Sequence, residues 1–341
     1  MLTNPAHRIL LIGAGDVVQR FWMPHLLARP HLEVAAVGSA TGASAERLAA
    51  NHGIARAGAG WQDFMADGGV DTVIVTSPPQ THLEIAAAAL DAGKNVLVEK
   101  PLCATLGDCR ELIDRAQAAP GIFSATFNNR LRENNDWVRR RVLDGAVGSP
   151  RLIDLEWLRT KGLPIEPWRS DPKCAIGGVL ADLGSHLIAI GLGAVPDRKR
   201  FRAACATRSG PEWPEGIDDL ASAQVEIDDG PLLQLRTGWG MAMERAVSFR
   251  FRIIGSDGVI EAADFDGRVG DGYGPLIDGF FAAVDDRRQT DLSLFVDTMT
   301  VVHALYRSAI EGSEVSGAFT SSIACGGDGH RGNATAAQPA G

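Results

Sequence analysis

The chain has 341 residues, 45% of them hydrophobic and 22% charged, with a formal net charge of -9. That is the composition of a globular protein with room for about two domains, and it excludes a fibrous or wholly disordered chain. The acidic balance, broken only by the short run Arg139-Arg140-Arg141, excludes nucleic acid as the natural partner, because neutralising phosphates needs a basic face.

No stretch approaches the ~20 apolar residues of a membrane span. The opening run Met1 to Gly15 has no charged segment ahead of its apolar core and no small-residue cleavage site, so a cytoplasmic location without membrane association is expected. The five cysteines, at 103, 109, 174, 205 and 325, are scattered and odd in number. They form neither a disulfide framework nor a metal-binding pair, and free thiols are expected.

In chain order, the first part alternates short apolar runs with helical segments. "RILLIG" from residue 8 precedes a helix over 18–28, "LEVAAVG" from 32 one over 43–52, "DTVIVTS" from 71 one over 81–92, and "NVLVEK" from 95 one over 105–118; "IFSATF" follows from 122. Apolar runs on this spacing read as parallel strands with crossover helices, hence a doubly wound α/β domain over residues 1–125. From 151 onward the texture changes to longer runs with period two: "RLIDLEWL", "ASAQVEID", "PLLQLRTGW", "VSFRFRIIG" and "GVIEAAD". They predict an antiparallel sheet with one covered face. A glycine-led helix at 177–193 interrupts them, and helices at 275–286 and 292–311 are expected to close this α+β domain, residues 126–317. The tail 318–341 is small, polar and glycine-rich, and reads as disordered.

Three features carry chemistry. The first is the turn Gly13-Ala14-Gly15-Asp16-Val17-Val18 between a strand and a helix, the context in which helix N-terminal amides hold a pyrophosphate; by itself it is also an ordinary tight turn. Val18 stands where the dinucleotide fingerprint has glycine or alanine. The acid expected about 20 residues on is replaced by Gly38, Ser39, Ala40 and Thr41, so the choice between NAD and NADP stays open. The second feature is Asp182 four residues before His186 on one helix, where a carboxylate can orient an imidazole and favour its charged form. Glycines 177 and 178 ahead of it permit a close approach. No second histidine or cysteine pair accompanies His186, so no metal site is expected. The third is Lys100 in "VEKP": of 33 basic residues only five are lysines, and an ammonium can be desolvated and give up a proton where a guanidinium cannot.

Together these residues resemble the Gfo/Idh/MocA family of nicotinamide-dependent oxidoreductases, most specifically in Glu99-Lys100-Pro101 and in Gly-Gly-x-Leu-x-Asp-x-Gly-x-His at 177–186. The resemblance implies an N-terminal Rossmann domain and a C-terminal α+β domain whose large, mostly antiparallel sheet builds homodimers or homotetramers. It implies Lys100, Asp182 and His186 as the catalytic group, with His186 the acid/base, Asp182 orienting the substrate and Lys100 touching both substrate and cofactor. It further implies Ser77, Pro78, His82 and Glu99 along the cofactor, beside the glycine turn and Ser39 and Thr41. Arg130 and the pair Trp168-Arg169 would border cofactor and substrate.

The expected activity is reversible hydride transfer between NAD or NADP and a secondary hydroxyl or ketone of a sugar, aminosugar or cyclitol. Glu156, Trp157, Glu166 and Trp168 near the expected site suit an amine-bearing sugar, and the Arg-, Ala- and Gly-rich composition points by analogy to natural-product biosynthesis. Two alternatives remain open: a glycoside hydrolase that oxidises its substrate transiently with bound NAD, and a catalytically silent cofactor-binding regulator.

Overall fold

The computed structural model describes residues 6–66, 69–161, 176–263 and 271–320. The tail beyond 320 and residues Glu166, Trp168 and Arg169 lie outside the described residues.

The first sheet contains β1 (His7–Ile12), β2 (Leu32–Gly38), β3 (Ala57–Gly58), β4 (Thr72–Val75), β5 (Asn95–Val98) and β6 (Phe123–Ala125). All are parallel, in the order β3-β2-β1-β4-β5-β6, the arrangement that leaves a crevice where β1 and β4 run their connections to opposite faces. The crossovers carry α1 (Met23–Leu27), α2 (Ala43–His52), α3 (Trp61–Ala66), α4 (His82–Asp91) and α5 (Leu106–Ala118). Strand β4 is buried throughout and β5 is buried from Val96 to Val98, as sheets covered on both faces require.

After a short turn at Asn128–Leu131 and α6 (Glu133–Leu143), β7 (Pro150–Arg159) opens the second sheet. Helix α7 (Ser185–Gly193) follows, then β8 (Arg200–Arg208), β9 (Leu220–Ile227), β10 (Leu232–Gly238), β11 (Val247–Gly255) and β12 (Val259–Ala263). The chain continues through α8 (Tyr273–Asp285), α9 (Ser293–Glu311) and β13 (Val315–Ala318). The seven strands run β12-β11-β7-β10-β9-β8-β13, antiparallel except for the β7–β10 pair. Alternation decides the faces: on β9, Ala221, Ala223, Val225 and Ile227 are buried while Leu220, Ser222, Gln224 and Glu226 are exposed.

The mixed parallel and antiparallel fold agrees with the sequence reading. Helix α8 is a correction to it. Instead of closing the second sheet, α8 packs Tyr273, Leu276, Ile277, Phe280 and Phe281 against Trp22, Met23 and Leu26 on the first, because the periodicity of a helix fixes its apolar stripe but not its partner. Helix α9 spans both cores, with Leu292, Phe295, Val296 and Met299 at one end and Val301, Val302 and Leu305 at the other. Among the described residues, no helix is long and apolar enough to cross a membrane.

Candidate active site

A cleft of about 730 Å³ runs from the carboxyl ends of β1, β2 and β4 to the edge of the second sheet. At its first end, Gly13 closes β1 with φ 113°, and a Cβ there would lie 2.4 Å from Thr76 Oγ1. Only glycine lets the turn press so closely on the end of β4. Gly15 accepts from the Val18 and Gln19 amides, so the helix begins there and its preceding N–H groups lack intrahelical partners. Val18 is 1% exposed and opens a wide π turn, Val18–Trp22, that runs into α1. The wide turn accommodates the extra bulk that the third fingerprint glycine normally avoids. Gly13, Ala14, Gly15, Val17 and Val18 line the cleft, followed by Ser39, Ala40 and Ser44 at the end of β2. These residues fit a dinucleotide: an open glycine turn at a helix start, with small and hydroxyl side chains beyond it.

At the other end, Lys100 follows β5, and its peptide bond to Pro101 is cis. Its ammonium donates to Asp182 Oδ1 at 2.7 Å and to the Asp182 carbonyl at 3.0 Å. Asp182 lies in a second π turn, Leu180–Gly184, continuous with α7. Glu99 is the keystone behind the lysine. Its Oε1 accepts from Trp22 Nε1 at 2.9 Å and Tyr273 OH at 2.7 Å, and its Oε2 from the Lys100 amide at 2.9 Å and Thr126 Oγ1 at 2.7 Å. Four donors, three of them from distant parts of the chain, thus converge on one buried carboxylate and fix the backbone from which Lys100 reaches out.

His186 is 5% exposed. Its ring packs 5.9 Å from that of Trp157 and 6.1 Å from that of Phe127, and its buried Nδ1 has no hydrogen-bond partner. Burial, with the Lys100 charge next, holds its pKa well below the usual histidine value, against the opposing pull of Asp182. His186 is therefore neutral at pH 7 and equipped to take a proton. The expectation that Asp182 favours the charged imidazole is outweighed: Asp182 does pull the His186 pKa upward, but burial and the Lys100 charge prevail, and the Asp182 carboxylate accepts from Lys100 at 2.7 Å.

Models of one family match both parts of the chain: an oxidoreductase family with an NAD-binding Rossmann fold over residues 7–127, and the C-terminal domain of the same family over 136–261. The chain belongs to the Gfo/Idh/MocA oxidoreductase family. It is 26% identical over 253 residues to D-glucoside 3-dehydrogenase of Escherichia coli, covering 70% of this chain and 72% of that one. It is 28% identical to a putative UDP-kanosamine synthase oxidoreductase subunit of Amycolatopsis mediterranei, covering 71% of each. GenD2 from gentamicin A biosynthesis, solved in complex with NAD, superposes with a TM-score of 0.84 at 22% identity over 92% of this chain and 97% of that one.

Within this Gfo/Idh/MocA cleft, Lys100, Asp182, His186, Glu99, Ser77 and Pro78 all line the walls, as does Trp157. Other residues singled out in the sequence do not. Asp16 and Thr41 are exposed and outside the lining; Asp16 pairs with Arg20 at 3.1 Å. His82 is fully buried behind the wall, with Nε2 2.7 Å from the Ser77 carbonyl and Nδ1 3.1 Å from the Pro101 and Leu102 carbonyls; its neutral ring donates to one of the two sides and fills the space between the β4 loop and the lysine loop. Arg130 packs on Gly193 of α7, while Arg132, two residues later, faces the cleft. Glu156 falls on the opposite face of β7 from Trp157, where it accepts from Ser248 Oγ at 2.9 Å and lies 3.3 Å from Arg236; strand alternation puts neighbours on opposite faces.

The sequence reading missed Asn128, Asn129, Arg132, Arg159, Asp271 and Tyr273, which also line the cleft. Tyr273 is brought from α8, and Asp271 is anchored by His25 Nε2 at 3.0 Å and by the Tyr273 amide at 2.9 Å. Their signal was present only as an Asp-Gly-Tyr helix start, which names no partner.

Proposed function

We propose that this protein is a sugar or cyclitol oxidoreductase, using NAD to interconvert a secondary hydroxyl and the corresponding ketone. The observation that carries this reading is the placing of Lys100, Asp182 and His186 in one cleft with the glycine turn. The activities named for its relatives, a glucoside dehydrogenase and an oxidoreductase subunit for UDP-kanosamine, support a sugar substrate, aminosugars included.

In this reading Gly13, Ala14, Gly15, Val17 and Val18 hold the phosphates of the dinucleotide, and Ser39, Ala40 and Ser44 face its adenosine side. When bound, NAD supplies the acceptor for the electron pair of the carbinol C–H bond. The neutral imidazole of His186 takes the hydroxyl proton. The Lys100 ammonium, held by Asp182, stabilises the negative charge that develops on the oxygen, work for which a compact, movable cation suits better than a planar fork. Trp157 beside His186 offers a flat apolar wall to the sugar ring.

The test is a panel of sugars, aminosugars and cyclitols with NAD and NADP in parallel, followed by absorbance of the reduced nicotinamide. Stoichiometric NADH with a keto product is expected, and His186→Ala should abolish it. Release of an aglycone without net NADH would favour the hydrolytic alternative instead.

A homo-oligomer through the open face of the second sheet belongs to the same reading. Asp154 on that face is only 5% exposed because Arg236 and Arg252 close over it at 3.2 and 3.0 Å, leaving a tied-down surface rather than loose charges. Sedimentation should show a dimer or tetramer; a monomer at micromolar concentration would sink the idea.

A further inference from the structure

We infer that the sugar accepted by this cleft carries an anionic group, a carboxylate or a phosphate ester, held by Arg159, with Arg132 lining the same cleft. The inference rests on the sugar-oxidoreductase reading above and narrows its substrate.

Arg159 is the last residue of β7 and shares a face with Trp157, two residues and so about 7 Å along the strand. Trp157 packs on His186. A ring lying against Trp157 with one hydroxyl at His186 therefore brings a substituent within reach of Arg159. Across the ladder the partner of Arg159 is Val247, which also lines the cleft, so the flank is apolar and favours a desolvated ion contact.

The charges at this end are already assigned, with one exception. Lys100 is taken by Asp182 at 2.7 Å. Asp271 is held by His25 at 3.0 Å, and both oxygens of Glu99 are occupied by the four donors described above. Arg132 donates from Nε to Asn129 Oδ1 at 2.7 Å, and its charge lies close enough to bear on His186. Among the described residues, no carboxylate or carbonyl engages the Arg159 guanidinium. A cation in the substrate end of a cleft with no counterion among the described residues is matched best by an anion on the ligand, and the planar fork suits the paired oxygens of a carboxylate or phosphate. A neutral sugar leaves it unmatched. Glu156, the described acid expected to attract an amine here, is on the other face of the sheet.

The experiment measures binding of four probes to the full chain saturated with NADH, by titration calorimetry: glucose, glucuronate, glucose 6-phosphate and UDP-glucose. At least one anionic probe should bind about tenfold or more tightly than glucose, with glucuronate pointing to a carboxylate and the other two to a phosphate ester. In Arg159→Gln the ratio of anionic to neutral affinity should collapse towards one, and Arg159→Lys should restore part of it. Because the ratio is read, a general loss of folding cannot imitate the result. Equal affinity for glucose and all three anionic probes in the wild type overturns the inference, as does an anion preference that survives in Arg159→Gln. In either case oxidation of neutral sugars would leave the oxidoreductase reading standing, whereas NAD binding with no sugar bound or oxidised would end both.

Discussion

At the scale of single residues, the site works by setting protonation states through burial and one fixed cation. His186 is neutral because charging it would place an imidazolium in a dry pocket near Lys100. The acidic limb of kcat/KM for alcohol oxidation should therefore fall well below pH 6.5. Lys100→Arg keeps the positive charge, so that limb should stay low while kcat drops about 10²–10³-fold, because the guanidinium cannot follow the developing oxygen charge; a pH–rate series on both proteins checks this. The same depressed pKa has a stability consequence. Below the ordinary value of about 6.5 the unfolded chain binds a proton that folded His186, and likewise buried His82, resists. Stability thus falls with pH from there down to the folded values. His186→Gln should flatten the slope of melting temperature between pH 6.5 and 5; an unchanged slope would show that His186 is not neutral when folded. The lysine was legible from sequence because a rare amine stands at the carboxyl edge of a strand. The neutrality of His186 was not, since an acid at i-4 suggested the opposite and only the fold shows that acid committed elsewhere.

At the scale of elements, the helix that carries Asp182 and His186 depends on a cap that comes from far along the chain. Asp218 Oδ1 accepts from the Gly178 amide at 2.7 Å and Tyr306 OH at 2.8 Å, and Oδ2 accepts from the Leu180 amide at 2.9 Å. Tyr306 OH in turn accepts from the Ala181 amide at 3.0 Å. This cradle satisfies the first amides of the turn that carries Asp182. It also explains the paired glycines, because a Cβ on Gly178 would lie 1.8 Å from the Asp218 carbonyl and one on Gly177 would lie 2.1 Å from the Tyr306 hydroxyl. Asp218→Ala should cost about 2–4 kcal/mol, from several buried donors left without an acceptor, measured by urea unfolding. A loss under 1 kcal/mol would mean that water replaces the carboxylate. The glycine pair was read as room for a close approach; what approaches is the chain itself, from β9's entry and α9, a contact 40 residues and more away.

At the scale of the whole molecule, the cleft lies between two sheets, and α9, packed into both cores, joins them. Phe295 packs in the first core on the helix whose far end lies in the second. Phe295→Ala should therefore cost about 3–5 kcal/mol and act on one shared unfolding transition in calorimetry, not on a separate early one. NAD at about a hundred times its Kd should raise that transition by about 2.7 kcal/mol; two transitions with only one shifted would show that the sheets unfold independently. The sequence by itself determined the parallel first sheet, the period-two strands of the second and the glycine turn, because strand and helix periodicity and motif spacing are local; Lys100, Asp182 and His186 came together only through the family resemblance. Tertiary structure decided which face each strand turns to the cleft, that Glu156 looks away while Arg132 and Arg159 look in, and that Tyr273 arrives from α8 to reach Glu99. Those outcomes depend on contacts between segments distant in the chain, whose register and docking no local pattern encodes.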